Sequence, residues 1–309
     1  VDDFLLGQVE NFLRSDETEI ILKPNTPLNN RNKSVGGQLS IDIERILNYG
    51  KKMKSGSIVT DNRGRCFLDY ESVKIATQGS AGQSFGAFCN DGMVFEHTGT
   101  CNDGVGKGAC GGKIIVKSPA GGGKHYGDNV LVGNFTLFGA SGGKTFIEGQ
   151  AGDRFAVRNS GATAVVEGVG EFCAEYMTNG AILNIGGFSK GFGNGMSGGF
   201  AYQYDPENIF EQFVSHDSVI LGKIGQGETS EAVHEHAVKQ MLEWHYLETK
   251  SFKAKKLIQD WDKIKEKIWW VMPKALLQYQ DYEEILSSKS RKEIMEELAI
   301  ALANHQVKK

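Results

Sequence analysis

Short apolar runs, each ended by glycine, dominate the middle of the chain. Of its 40 glycines, 31 lie between Gly79 and Gly199. The segment GNFTLFGASGGKTFIEG, which begins at Gly133, aligns with GDRFAVRNSGATAVVEG, which begins at Gly152. Runs such as IIV, TFI, AVV and ILNI have the length of short strands. A unit of about 19 residues is too short for a helical repeat, so the pattern indicates a β-repeat.

Units of this size cannot bury an apolar face alone and stack into a coil with a shared core. The repeat therefore predicts a mainly β chain, a right-handed parallel β-helix of about seven rungs stacked at about 4.8 Å. We expect one glycine of each rung to stack at a common corner, and Gly161 to have a positive φ. This predicted ladder consists of Gly92, Gly111, Gly142, Gly161, Gly180 and Gly199.

The flanking regions have different patterns and give three segments: 1–50, 51–225 and 226–309. The first segment contains an amphipathic stretch from Phe4 to Leu13, the predicted strand EIILK, and LSIDIERILNYG, which predicts a short helix closed by Gly50. The last segment has apolar positions at helical spacing and predicts a helical extension. In that extension we expect Pro273 to end the second helix and one or two further helices to follow it.

Composition and charge exclude several classes of protein. The formal charge of -4 over 309 residues gives no electrostatic case for nucleic acid or an anionic membrane. No apolar run approaches the roughly 18 residues of a membrane span. Five cysteines without a CxxC pair fit reduced thiols, which predicts a cytoplasmic protein.

Three glycine motifs resemble nucleotide-binding loops. Gly143-Lys144-Thr145 matches the end of a phosphate loop, but Phe138 stands where its first glycine belongs. GKGACG (106–111) and GNGMSG (193–198) spell a dinucleotide fingerprint. Such loops open a helix, whereas all three copies lead into predicted strands. We interpret the three as corners of the repeat and predict no cofactor-binding residue.

Candidate catalytic groups are few. His234, His236 and His245 lie in one predicted helix without the HExxH spacing, which favours core or surface histidines over a metal site. Glu148 and Glu167 are one repeat apart and could stack, which would raise their pKa values, but stacked carboxylates of such repeats are usually solvated. We predict no catalytic and no metal-ligating residue.

Several long strings resemble the C-terminal domain of the glutamate synthase large subunit. They are RNKSVGGQLS from Arg31, GSAGQSFGAF from Gly79, NDGVGKGACGGKIIV from Asn102 and RFAVRNSGATAVVEGVGEFCAEYMTNG from Arg154. The resemblance covers roughly residues 20–275. It departs at Gly104, where the family usually has Tyr, and beyond Pro273.

The resemblance implies a β-helix domain that is structural, within an enzyme that makes glutamate from glutamine and 2-oxoglutarate. It implies that FMN and an iron–sulfur cluster belong to the rest of that enzyme. The implied partners are the amidotransferase and FMN synthase domains, with a small NAD(P)H-oxidising subunit as a further partner. One alternative is a stand-alone β-helix subunit, as in formylmethanofuran dehydrogenase. A second alternative is a sugar-acting β-helix, for which the predicted strands carry few acids.

Two features are candidates for contact with such partners. Arg154 and Arg158 are expected on opposite or alternate faces of a strand, so that one pairs with a partner carboxylate, or both are only solvated. SPAGGGKHYGDN, residues 118–129, is a 12-residue insertion in the repeat and is the predicted contacting loop.

Overall fold

A computed structural model describes residues 1–50, 55–119, 128–225 and 231–275 of the chain. The helices are α1 (Asp2–Phe12), α2 (Gly37–Tyr49), α3 (Glu231–Thr249), α4 (Phe252–Gln259) and α5 (Trp261–Ile264). The strands are β1 (Ile20–Leu22), β2 (Ile58–Thr60), β3 (Cys66–Leu68), β4 (Val73–Ala81), β5 (Met93–Cys101), β6 (Cys110–Lys117), β7 (Val130–Val132), β8 (Gly142–Ile147), β9 (Gln150–Ala151), β10 (Ser160–Gly168), β11 (Asn179–Gly187), β12 (Phe200–Tyr204), β13 (Val219–Lys223) and β14 (Ile268–Pro273).

The main sheet is a stack of parallel strands, in the order β4-β5-β6-β8-β10-β11-β12. Thr163 pairs with Lys144, and Ala181 pairs with Phe200, so these neighbouring strands are offset by one unit of the sequence repeat. The chain thus forms a parallel β-solenoid of about six turns. This confirms the fold class predicted from the repeat.

The wall that follows each strand is built from bends with an unusual backbone. In each bend three residues have a positive φ, and one residue without a positive φ separates each from the next. In the first five bends the outer two of these residues donate their N–H groups to the next coil, and the middle one donates to the preceding chain. These bends are a second hydrogen-bonded wall opposite the main sheet. The triplets are 84/86/88, 104/106/108, 135/137/139, 154/156/158, 172/174/176 and 191/193/195.

The predicted glycine corner lies where each strand begins. Gly92, Gly180 and Gly199 have positive φ there, but in two other coils the left-handed residue is Gly112 or Gly143, one position later. The expected positive φ of Gly161 is wrong. Gly161 is needed for a different reason, because a Cβ on it would overlap the carbonyl oxygen of Ser141 in the preceding coil.

The strands are continuous apolar runs in the sequence because both of their faces are buried, each in a different apolar cluster. Val166 and Ile147 point into the solenoid core, while their neighbours Val165 and Phe146 point outward. The outward residues are buried because they share a cluster with residues of α3, α4 and α5. The C-terminal helices therefore lie along the outer face of the sheet. Among the described residues no helix is long and apolar enough to span a membrane.

Additional strands cover both ends of the main sheet. β1 pairs with β4 at one end, and β14 pairs antiparallel with β12 and β13 at the other. The prediction of a helix ending at Pro273 is wrong for residues 268–273. Their β-branched and aromatic side chains fit the open edge of β12, and this tertiary pairing overrides the helical spacing.

The predicted helix closed by Gly50 is confirmed by α2. The helices predicted beyond residue 275 lie outside the described residues, as does most of the 118–129 insertion.

Candidate interaction surface

Arg154 and Arg158 lie in a bend, not in a strand, so the expectation of opposite strand faces is wrong. They are the outer two residues of one triplet and have φ values of 59° and 54°. Arg154 Nε is 3.7 Å from a carboxylate oxygen of Glu175, and the Arg158 guanidinium lies 5.7 Å from the ring centroid of Tyr176. Both arginines are exposed and both contact the next bend of the wall.

Aromatic side chains are exposed along the same wall. Phe88, Phe135, Phe138 and Tyr176 are between 37% and 48% exposed. Three of these rings lie over glycines of a neighbouring coil. A Cβ on Gly108 would come within 2.9 Å of the Phe88 ring, and one on Gly104 within 3.0 Å of the Phe135 ring. The glycines therefore leave room for the rings.

We call the exposed residues of this wall the aromatic–arginine surface: Phe88, Phe135, Phe138, Arg154, Arg158 and Tyr176. Large apolar side chains exposed along one wall make that wall a candidate interaction site. Aromatic residues and arginine are enriched in the energetically dominant parts of protein interfaces. The residue types of this surface therefore resemble those of protein interfaces.

The acidic pair predicted from the repeat is buried, not solvated. Glu148 and Glu167 are 9% and 1% exposed. Glu167 Oε1 accepts hydrogen bonds from His245 Nε2, at 3.0 Å, and from the hydroxyl of Ser251. Because the carboxylate lies between the imidazole and the hydroxyl, this is not the order of a nucleophilic triad. The cluster fastens α3 and α4 to β10.

Burial raises the pKa of Glu148 to about 7, and the charge of Glu167 adds to that shift. The backbone N–H of Ser118, 3.2 Å from Glu148 Oε2, and the charge of Lys117 oppose it.

The three histidines of α3 are not brought together. His234 is buried, 2.9 Å from the Tyr202 hydroxyl and stacked on Trp270, and burial lowers its pKa to about 4. His236 is exposed, and His245 binds Glu167.

Lys144, the lysine of the phosphate-loop-like motif, lies within β8 and 3.9 Å from the ring centroid of Trp244. Its role in the described structure is packing. The fingerprint-like strings lie in the bends 104–108 and 191–195 and in the segments after them, where no helix begins.

The alternating left-handed bends were missed by the sequence reasoning. The signal for them is a G-x-G-x-G pattern, which the chain spells at Gly104-Val105-Gly106-Lys107-Gly108 and again at residues 191–195. In the other bends the positive-φ positions include Phe, Leu, Ala, Arg, Ser and Tyr, so the pattern is not visible there.

Comparison with known proteins gives the same motif. The family model described as "GXGXG motif" matches residues 2–274. The chain is 40% identical over 235 residues to the glutamate synthase [NADPH] large chain of Bacillus subtilis, covering 76% of this chain and 15% of that protein. It is 41% identical over 221 residues to the large chain of Azospirillum brasilense, covering 72% and 14%.

A third relative is the ferredoxin-dependent glutamate synthase of Pyropia yezoensis, 38% identical over 275 residues, covering 88% of this chain and 16% of that protein. The chain thus spans about 15% of the length of these relatives. They do not favour the stand-alone β-helix subunit considered above. With the family model matched over nearly all described residues, the chain belongs to the GXGXG motif family.

Proposed function

We propose that this chain is a non-catalytic structural domain of a glutamate synthase, which converts glutamine and 2-oxoglutarate into two molecules of glutamate. In this proposal it holds the amidotransferase and FMN synthase domains in place. FMN and an iron–sulfur cluster are bound by the rest of the enzyme, and a small NAD(P)H-oxidising subunit is a further partner. A cytoplasmic location is part of the same proposal.

The observation that carries the proposal is the aromatic–arginine surface on a two-walled solenoid. An enzyme that moves an intermediate between two active sites needs those sites at a fixed separation. Strands on one wall and bends on the other pin each coil to its neighbours, so the surface is held rigidly. The names of the relatives supply the enzyme class to which this scaffold is assigned.

The proposal is tested in a full-length glutamate synthase large chain that carries this sequence. Arg158→Glu together with Tyr176→Ser removes the cation–π pair and reverses one charge. We expect glutamine hydrolysis to exceed glutamate formation, because the two active sites lose their alignment. The matched control is Lys255→Glu, an exposed change on α4. Thermal unfolding of both variants checks that the fold is intact.

Two results would contradict the proposal. If hydrolysis and glutamate formation stay coupled in the Arg158→Glu/Tyr176→Ser enzyme, the surface does not hold the domains. If the isolated 309-residue chain hydrolyses glutamine or binds FMN, the domain is not merely structural.

A further inference from the structure

A cavity of about 400 Å³ lies beside the last coil of the solenoid, and none of the described residues that line it belongs to the aromatic–arginine surface. Its lining comes from the end of β11, from the end of β12 and the segment that follows it, and from one residue of α4. Its apolar lining consists of Ile185, Phe188, Tyr204, Pro206, Ile209 and Phe213. This volume lies within the range of small-ligand sites.

Asp205 is the buried polar residue of this lining and is 2% exposed. Its Oδ2 accepts hydrogen bonds from the Phe210 N–H, at 2.8 Å, and from Trp269 Nε1, at 3.1 Å. Its Oδ1 is buried without a hydrogen-bond partner in the described part of the chain. A buried acceptor without a partner is unfavourable, so a ligand that donates to it gains affinity.

Two charged residues complete the lining. Glu207 is exposed and adds a second carboxylate, and Lys253 on α4 is the one cation among the described residues that line the cavity. The described lining is therefore net negative and mainly apolar. This combination suits a ligand with an apolar stem and a cationic head, because the stem covers the apolar lining while the head meets the carboxylates.

We propose that this cavity binds an organic cation with an apolar stem of about four carbons, the chemistry shared by a lysine side chain and a free alkylamine. The ammonium group donates to Asp205 Oδ1, and the stem lies against Phe188 and Phe213. Because Oδ1 is buried, binding requires the lining around Asp205 to move. This site is independent of the proposed scaffold function.

The probes are n-butylammonium, N-acetyl-lysine methylamide and the neutral n-butanol, titrated into the 309-residue chain and followed by amide chemical shifts of residues 204–213. For five non-hydrogen atoms we expect a Kd of about 1–10 mM for n-butylammonium. Tighter binding of the lysine derivative would identify a polypeptide side chain as the source, and tighter binding of n-butylammonium a free amine.

Two variants make the test specific. Gly187 lines the cavity, its φ is not positive, and a Cβ on it would meet no described atom within 4 Å. Gly187→Leu should therefore fill the cavity without unfolding the chain and raise the Kd at least tenfold. Asp205→Asn keeps an acceptor for Phe210 and Trp269 but removes the charge, so it should weaken n-butylammonium about tenfold and leave n-butanol unchanged.

The proposal is overturned if no probe gives saturable shifts at residues 204–213 of the unmodified chain. It is also overturned if n-butanol binds as tightly as n-butylammonium, or if Gly187→Leu, folded as judged by its amide spectrum, binds n-butylammonium undiminished.

Discussion

Glu148 and Glu167 occupy equivalent positions on successive coils but have different surroundings. They follow Ile147 and Val166, which pair across β8 and β10. Glu167 has a histidine and a serine as hydrogen-bond donors, whereas Glu148 accepts from the backbone N–H of Ser118, its one donor among the described residues. The repeat therefore places two carboxyl groups together, and the covering helices supply donors to one of them.

Glu148 should make the stability of the chain depend on pH. Its pKa is about 7 in the folded state and 4.5 ordinarily, so the folded state binds the proton more tightly. The free energy of unfolding should therefore fall by about 3 kcal/mol as pH rises from about 4.5 to about 7, and then level off.

Chemical denaturation of the wild type and Glu148→Gln between pH 4 and 8 measures this effect. The variant should match the wild type near pH 4 and be more stable at pH 8, since glutamine cannot ionise. Glu171→Gln, a change at a carboxylate paired with exposed Lys190, should leave the pH dependence as it was. Parallel curves for Glu148→Gln and the wild type would contradict the assignment.

Loss of His245 should loosen the C-terminal helices. His245→Leu removes a hydrogen-bond donor from a carboxyl group that is 1% exposed, and loss of a partner for such a buried polar group costs about 1–3 kcal/mol. The double variant Glu167→Leu/His245→Leu leaves neither polar side chain of the pair in the buried site and should recover most of that loss. Urea unfolding of Glu167→Leu, His245→Leu and the double variant gives the coupling energy between the two side chains. Additive losses would show that the pair does not act as a unit.

Two alanine variants should differ in stability because only one of the two glycines lies against the preceding coil. Gly161→Ala should destabilise the chain by a few kcal/mol, because its Cβ would overlap the carbonyl of Ser141 in a wall that cannot separate locally. Gly187→Ala, also without positive φ, meets no described atom within 4 Å and should change stability by less than about 1 kcal/mol. Equal effects measured in guanidinium would show that close approach of the coils is not what requires Gly161.

The sequence predicts the solenoid well because the repeat has one physical cause. Each coil must bury the same face and fit the same corner, so Gly142 and Gly161 recur at the spacing of the paired strands. The bends are less predictable. Their left-handed residues include Phe135 and Arg154, where neighbouring coils hold the backbone in a conformation that the residue type does not favour.

Long-range pairing explains the other differences. Residues 268–273 have helical spacing, but they form β14 because β12, the last parallel strand of the solenoid, offers an open edge much earlier in the chain. The buried cluster of Glu167, His245 and Ser251 joins residues separated by 78 and 84 positions. Neither relationship leaves a local signal in the sequence.

The junction between α3 and α4 offers a stabilising change. Lys250 has a φ of 64° and is exposed, and its N–H donates to the carbonyl of Tyr246 at the end of α3. This is the left-handed position after a helix that glycine favours, because glycine has no Cβ to oppose it. Lys250→Gly should therefore stabilise the chain by about 1 kcal/mol, after loss of the contact between the Lys250 ammonium and the Tyr246 ring. In the matched variant Lys255→Gly, within α4, the same substitution should destabilise by about 1 kcal/mol. Thermal and urea unfolding of both variants measure the difference. If Lys250→Gly loses as much stability as Lys255→Gly, the left-handed backbone of Lys250 is not what limits stability at this junction.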